Sequence, residues 1–219
     1  MNKTIRIALI LSLSLLGASL NLAADDHAPS VAPDAALAKL KEGNARFASS
    51  NVSEGKPNAA KRTETAQTQH PFAVVLACAD SRTAPELVFD ANIGDLFVVR
   101  TAGNLVDEHA LGSIEYAVSH LGTRLIVVLG HERCGAVTAA VASDTAPSHI
   151  QSLVRDIQPA VVLAKTESGD TLVNATAENA RLSAAKITKE ADLDQHAKEV
   201  RIVSAVYNLD TGKVEWGKE

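Results

Sequence analysis

Three short stretches of unbroken apolar sequence set the strongest limit on how this chain can fold: Phe72-Ala73-Val74-Val75-Leu76-Ala77, Leu96-Phe97-Val98-Val99 and Leu125-Ile126-Val127-Val128-Leu129. None alternates between apolar and polar residues, so none reads as a strand with one wet face. Each reads as a strand covered on both faces, as in a parallel sheet. Between the second and third runs, Ala110, Leu111, Ile114, Ala117, Val118 and Leu121 recur at helical spacing. Strand, helix, strand implies an α/β domain with right-handed crossovers. An amphipathic helix capped by Asp34 is expected over Leu37, Leu40 and Phe47, weakened by Gly43. Other helices are expected around 61–69, after Cys134, around 149–165 and around 175–189. A last strand over 200–207 should turn at Asp210-Thr211-Gly212 and return through Val214 and Trp216. Gly94 and Gly112 read as backbone punctuation and Asn104 as a turn-former. The fold class is therefore α/β: a central, mainly parallel β-sheet flanked by helices, with an N-terminal helical arm and a C-terminal strand or hairpin.

With 219 residues, 46% of them hydrophobic, the chain can bury a sizeable core as one domain. Its start, Met1-Asn2-Lys3-Thr4-Ile5-Arg6 followed by an apolar stretch from Ile7 to Leu16, has the positive and apolar regions of a secretory signal peptide. The expected organisation is a signal peptide at 1–24, a linker at 25–32 and one domain at 33–219, with export to the periplasm. Ser12, Ser14, Gly17, Ser19 and Asn21 interrupt the apolar stretch, and no later segment is long and apolar enough to span a bilayer. No stable membrane span is expected after signal removal. The net charge is −5, and loss of Lys3 and Arg6 takes the mature chain two units lower, to −7. An acidic chain with 3% aromatic residues and no basic run excludes a nucleic-acid partner.

The only two cysteines follow the first and third apolar runs. Cys78 opens Cys78-Ala79-Asp80-Ser81-Arg82, and Cys134 closes His131-Glu132-Arg133-Cys134. In open α/β sheets, ligands sit beyond the carboxyl ends of the strands, where the winding reverses, so two clusters distant in sequence are expected to converge. Two thiolates and one imidazole suit zinc rather than magnesium or calcium, and three protein ligands leave a fourth position for water. A disulfide between Cys78 and Cys134 is the competing reading for an exported protein. It leaves His131, Asp80 and Arg82 without a reason for their places. A nucleophilic Cys78 beside Arg82 is the third reading, although the loop between them is shorter than a phosphate cradle uses.

Two thiolates cancel the charge of a dication, so such a zinc acidifies water less than one held by three neutral imidazoles. An ionised Asp80 held by Arg82 can compensate, by accepting a hydrogen bond from the zinc-bound hydroxide. Freed from Arg82, Asp80 can instead become a fourth metal ligand in a closed state. Glu132, Arg133 and the remaining histidines read as ordinary solvent or core residues.

At these residues the chain resembles the β-class carbonic anhydrases. Cys-Ala-Asp-Ser-Arg and His-Glu-Arg-Cys-Gly-Ala match that family's two zinc-binding motifs. The likeness continues through Pro85-Glu86-Leu87, Gly94-Asp95-Leu96-Phe97-Val98-Val99-Arg100, Ala102-Gly103-Asn104, Gly112-Ser113-Ile114-Glu115-Tyr116-Ala117 and Tyr207-Asn208-Leu209-Asp210-Thr211-Gly212, and spans Leu37 to Trp216. The resemblance implies reversible hydration of carbon dioxide to bicarbonate and a proton, by attack of zinc-bound hydroxide. It implies one zinc per chain on Cys78, His131 and Cys134, a catalytic dyad of Asp80 and Arg82, and a homodimer or homotetramer whose N-terminal helix reaches a partner subunit. Ala91 and Asn92 stand where many members carry a substrate-binding glutamine, which makes Asn92, with Gly103, a candidate substrate-binding residue. Val75 stands where members with a non-catalytic bicarbonate pocket carry tryptophan, so an open zinc site is expected. The rival functions are hydrolysis of a related small molecule such as carbon disulfide, and a non-catalytic zinc-binding or disulfide-stabilised protein.

Overall fold

The structure, a computed structural model, describes residues 31–53 and 59–217. The expected signal peptide and most of the linker lie outside them. The apolar runs form β1 (Ala73–Cys78), β2 (Leu96–Thr101) and β3 (Leu125–His131), followed by β4 (Arg201–Tyr207) and β5 (Val214–Trp216). The sheet order is β2-β1-β3-β4-β5. The first four strands are parallel, with Val75 opposite both Val98 and Val127, and β5 returns antiparallel against β4. Every residue of β1 and β3 is buried, as their unbroken apolar sequence requires, while the edge strand β2 is only partly covered.

The helices are α1 (Pro33–Ala48), α2 (Ala59–Glu64), α3 (Pro85–Val88), α4 (Glu108–Leu121), α5 (Gly135–Ala142), α6 (Ile150–Ala164) and α7 (Thr171–Glu190). Alternate residues of each central strand point to opposite faces. Val75, Ala77, Val127 and Leu129 pack with Leu37 and Leu40 of α1 and with Phe89. Val74, Leu76, Ile126 and Val128 pack with Ile114 and Val118 of α4 and Ile187 of α7. Each fully buried valine, leucine or isoleucine contributes about 1.5–3 kcal/mol against its exposed state. A third cluster, under α5, α6 and α7, holds Cys78 and Cys134 with Val137, Val154, Ile157 and Val161.

Local chemistry sets the helix ends. Asp107 and Asp170 cap α4 and α7 by accepting from Ala110 N at 2.8 Å and Val173 N at 3.0 Å, and Gly122 ends α4 in the left-handed region. Asp34 does not cap α1. Pro33, which has no N–H and the right φ for a first helical residue, puts the cap at Ala32, and Asp34 inside the first turn pairs with Arg201. Gly94 is punctuation, with φ +85°, but Gly112 lies within α4. Burial of Ile114, Ala117 and Val118 outweighs the roughly 1 kcal/mol that glycine costs there. The second helix ends at Glu64, short of the expected 69.

Gly43 is required by packing. A Cβ on it would lie 1.9 Å from the carbonyl oxygen of Phe89. Beside it, buried Asn44 donates to Val88 O at 3.1 Å and Gly212 O at 2.8 Å and accepts from Val214 N at 2.8 Å, tying α1 to α3 and to the β4–β5 turn. The arm thus lies on its own sheet. Because neither α1 nor the Phe89 backbone can yield cheaply, Gly43→Ala is expected to destabilise the fold by about 3 kcal/mol in a urea titration. An unchanged midpoint would contradict this packing.

Candidate metal centre

After β1 the chain moves outward to β2, and after β3 it moves the opposite way to β4, so the winding reverses between β1 and β3. The crevice of the sheet opens at the carboxyl ends of these two strands. Cys78 is the last residue of β1 and His131 the last of β3. Cys134 follows as the residue preceding α5. The turn between His131 and Cys134 needs Arg133 in the left-handed region, at φ +51°.

The ligand atoms of Cys78, His131 and Cys134 lie within 4.8 Å of one another, and all three residues are buried. The two sulfurs are 3.9 Å apart and both thiols are free, whereas a disulfide needs about 2.05 Å. Two sulfurs on one tetrahedral zinc, each about 2.3 Å from it, would stand about 3.8 Å apart. The His131 ring faces Glu132 O through Nδ1 at 2.9 Å, and its buried Nε2 has no hydrogen-bond partner. A ring whose Nδ1–H donates to that carbonyl presents a bare lone pair at Nε2, the state a metal ligand needs. Two soft donors and one imidazole with an orphaned lone pair fit zinc.

The electrostatics of the pair agree. Cys78 is lowered, chiefly because Cys134 S–H donates to its sulfur, with further donors in the backbone of Asp80 and Gly103; burial opposes the shift. Cys134, as the donor, is pushed up, and burial adds to the rise. Gly103 N donates to Cys78 Sγ at 3.3 Å, and Asn179 of α7 holds Gly103 by donating to its carbonyl at 2.7 Å. Gly103 has φ +72°, and a Cβ there would press on Ile157 and Ala136 at 3.1 and 3.2 Å.

Asp80 stands beside this group. Its Oδ2 is 3.9 Å from His131 Nε2. Its Oδ1 accepts from Arg82 N and Nε, both at 2.9 Å, and Oδ2 accepts from Arg82 Nη2 at 2.7 Å. Arg100 anchors the loop from the neighbouring strand, with Nε donating to Cys78 O at 2.9 Å and Nη2 to Asp80 O at 2.5 Å. Four of the expected site residues and Gly103 therefore gather around Cys78. Asn92 does not join them. It precedes β2, whose first residue, Leu96, pairs with Ala73 at the far end of β1, about 16 Å along the strand from Cys78. Its side chain accepts from Ile93 N at 2.8 Å, and it lines a cavity of about 600 Å³ with Phe47, Leu87 and Ile93. Gly103 serves the Cys78 sulfur through its N–H. Arg100 stands in the sequence only as part of the family likeness and Asn179 carries no signal there; the register Ala77↔Arg100 and a buried asparagine among the small residues of α7 are the features that place them.

The family model described as carbonic anhydrase matches residues 73–214. Carbonic anhydrase 2 of Mycobacterium tuberculosis is 46% identical over 143 residues, covering 64% of this chain and 69% of that protein. A carbonic anhydrase of Mycolicibacterium smegmatis is 36% identical over 198 residues, 85% of this chain and 94% of the relative. Among solved structures, the β-carbonic anhydrase of Coccomyxa, in complex with acetazolamide, superposes with a TM-score of 0.63 at 26% identity, covering 82% of this chain and 85% of that one.

The Arg82 contacts hold the Asp80 carboxyl well below the usual carboxylate range. With a depressed folded-state value, the pair's contribution is complete above the ordinary value near about 4 and fades only as pH falls further. Carboxyl-carbon NMR is expected to show Asp80 still ionised at pH 4, and titrating near about 4 once Arg82→Ala is made. Equal titration in both proteins would contradict the pairing.

Proposed function

The chain belongs to the β-class carbonic anhydrase family, and on that premise we propose that Cys78, His131 and Cys134 hold its zinc and that Asp80 and Arg82 act on substrate. The activity is reversible hydration of carbon dioxide to bicarbonate and a proton, dependent on zinc. The observation that carries the residue assignment is the convergence of three buried donor atoms with His131 Nε2 left unpartnered. When bound, zinc supplies a Lewis acid that brings the pKa of water toward neutrality.

The side chains do the rest. Arg82 engages both oxygens of Asp80, so the carboxylate stays ionised and can only accept. An incoming water's O–H can donate to Asp80 Oδ2, which aims the water's lone pair away from the carboxylate and toward carbon dioxide. Because its acidity is raised, Asp80 is a poor base. It orients, and the product proton passes to solvent or buffer. With both oxygens on Arg82, Asp80 is held in the open arrangement, and release from Arg82 is the step that would make it a fourth metal ligand. The Gly103 N–H on Cys78 Sγ withdraws electron density from a thiolate, which partly offsets the weak acidification expected of a two-thiolate site.

Export and assembly belong to the same reading. The signal-peptide pattern of residues 1–24 supports secretion to the periplasm, and among the described residues no helix is long and apolar enough to cross a membrane. A homodimer or homotetramer is supported by the outer edge of β2, which has no strand neighbour among the described residues and whose Leu96, Phe97, Val98 and Val99 are half-covered beside exposed Leu87, Ile93 and Tyr116. Light scattering on the purified mature protein should return a multiple of the chain mass, and a monomer at micromolar concentration would sink this part.

Stopped-flow hydration by the mature, zinc-quantified protein tests the activity, with carbon disulfide as the competing substrate. Asp80→Ala should keep one zinc per chain and lose at least about a hundredfold in turnover. Cys134→Ala should lose the metal. Unchanged turnover in either protein would remove the assigned role.

A further inference from the structure

Arg133 lies between His131 and Cys134 with φ +51°, a conformation disfavoured for any residue with a Cβ. Its guanidinium meets Asp210 in a two-pronged contact, Nη1 to Oδ2 and Nη2 to Oδ1, both at 2.8 Å. Asp210 is itself set by the β4–β5 turn. Asn208 Oδ1 accepts from Asp210 N at 3.0 Å and Thr211 N at 2.8 Å, while Asn208 Nδ2 donates to Glu132 Oε1 at 2.9 Å. Glu132 N donates to Tyr207 O at 3.0 Å, continuing the β3–β4 pairing one step past His131. The turn is thus bound to the His131–Cys134 loop at two points, and the end of β4 at a third. On the other side of the same loop, Arg82 Nη2 approaches Arg133 O at 3.4 Å.

We propose that Asp210 is a positioning residue: through the Arg133 guanidinium it holds the left-handed turn that brings His131 and Cys134 together, and so governs how firmly the chain retains zinc. The inference rests on the zinc ligands assigned above. Most exposed ion pairs contribute little, and both side chains here are at least half exposed. This pair differs in geometry and in what it restrains. Its two parallel bonds fix the plane of the guanidinium, and the backbone it fixes carries a strained φ one residue before a ligand. Remove the pair and the turn is free to relax toward negative φ, swinging Cys134 away from His131. Glycine at 133 would need no such restraint, because positive φ costs it nothing.

That contrast supplies the test. Zinc-loaded wild type, Asp210→Ala, Arg133→Ala, Arg133→Gly and the Arg133→Gly, Asp210→Ala double variant are mixed with a chromogenic chelator, and zinc transfer is timed. The visible spectrum of each cobalt(II)-substituted protein reports ligand geometry. Asp210→Ala and Arg133→Ala should release zinc about tenfold faster with altered cobalt spectra, whereas both glycine variants should stay within about threefold of wild type. Wild-type release from Asp210→Ala, or release from Arg133→Gly as fast as from Arg133→Ala, would overturn the proposal. Carbon dioxide hydration on the same samples separates the two readings. A wild type that follows this pattern without activity sinks the functional assignment alone, and an active wild type with unchanged Asp210→Ala rates sinks the positioning role alone.

Discussion

The parallel pairing of β1 with β3 underlies everything that follows from this fold. It joins two strands whose residues are all buried, Val74 to Ala77 against Ile126 to Leu129, and it does so where the chain's winding reverses. A pairing slip by one residue would turn every apolar side chain to the opposite face and exchange the packing of α1 with that of α4 and α7. The same slip would move Cys78 away from His131. Core packing and site geometry are therefore one constraint, and the hydrophobic energy that sets the register also sets the distance between the metal-ligating atoms.

Around that register, the site is shaped by polar groups that reach it from other elements. Arg100 holds the carbonyls of Cys78 and Asp80 from β2, Asn179 holds Gly103 from α7, and the β4–β5 turn holds Glu132 and Arg133. The contacts of Arg100 and Asn179 fix backbone carbonyls, those of the turn hold two side chains of the His131–Cys134 loop, and none falls on a reacting atom. The side chains left without a local partner are informative for that reason. Among the described residues, His131 Nε2 is one of two buried side-chain polar atoms without a hydrogen bond. A buried lone pair costs free energy unless something takes it, and the two sulfurs beside it say what kind of ion would.

Much of this was legible in the linear chain because the signals are local. Unbroken apolar runs of four to six residues flanked by turn residues have few solutions other than strands with both faces covered, and the helical spacing of Ile114, Ala117 and Val118 specifies which face α4 buries. The start of α1 is harder to read, because Asp34 is a good cap in isolation while Pro33, one residue earlier, is a better first helical residue. Gly43 read as a weakness, since a propensity argument sees only the cost of glycine in a helix and nothing of the Phe89 carbonyl lying against it. Analogy of position suggests Asn92 for the site, whereas strand direction puts it just before the start of β2, at the end of the sheet opposite Cys78.

Residue types and spacing by themselves determined the α/β class and the set of donors, because side-chain periodicity and thiolate and imidazole chemistry do not depend on the rest of the chain. Only the tertiary structure decided which strands are neighbours, that the sulfurs stand 3.9 Å apart and unbonded, and that Arg100, Asn179 and Asp210 reach the loops of the site. Those facts depend on register and on contacts between residues up to 77 positions apart, and no local pattern encodes a distance across a fold.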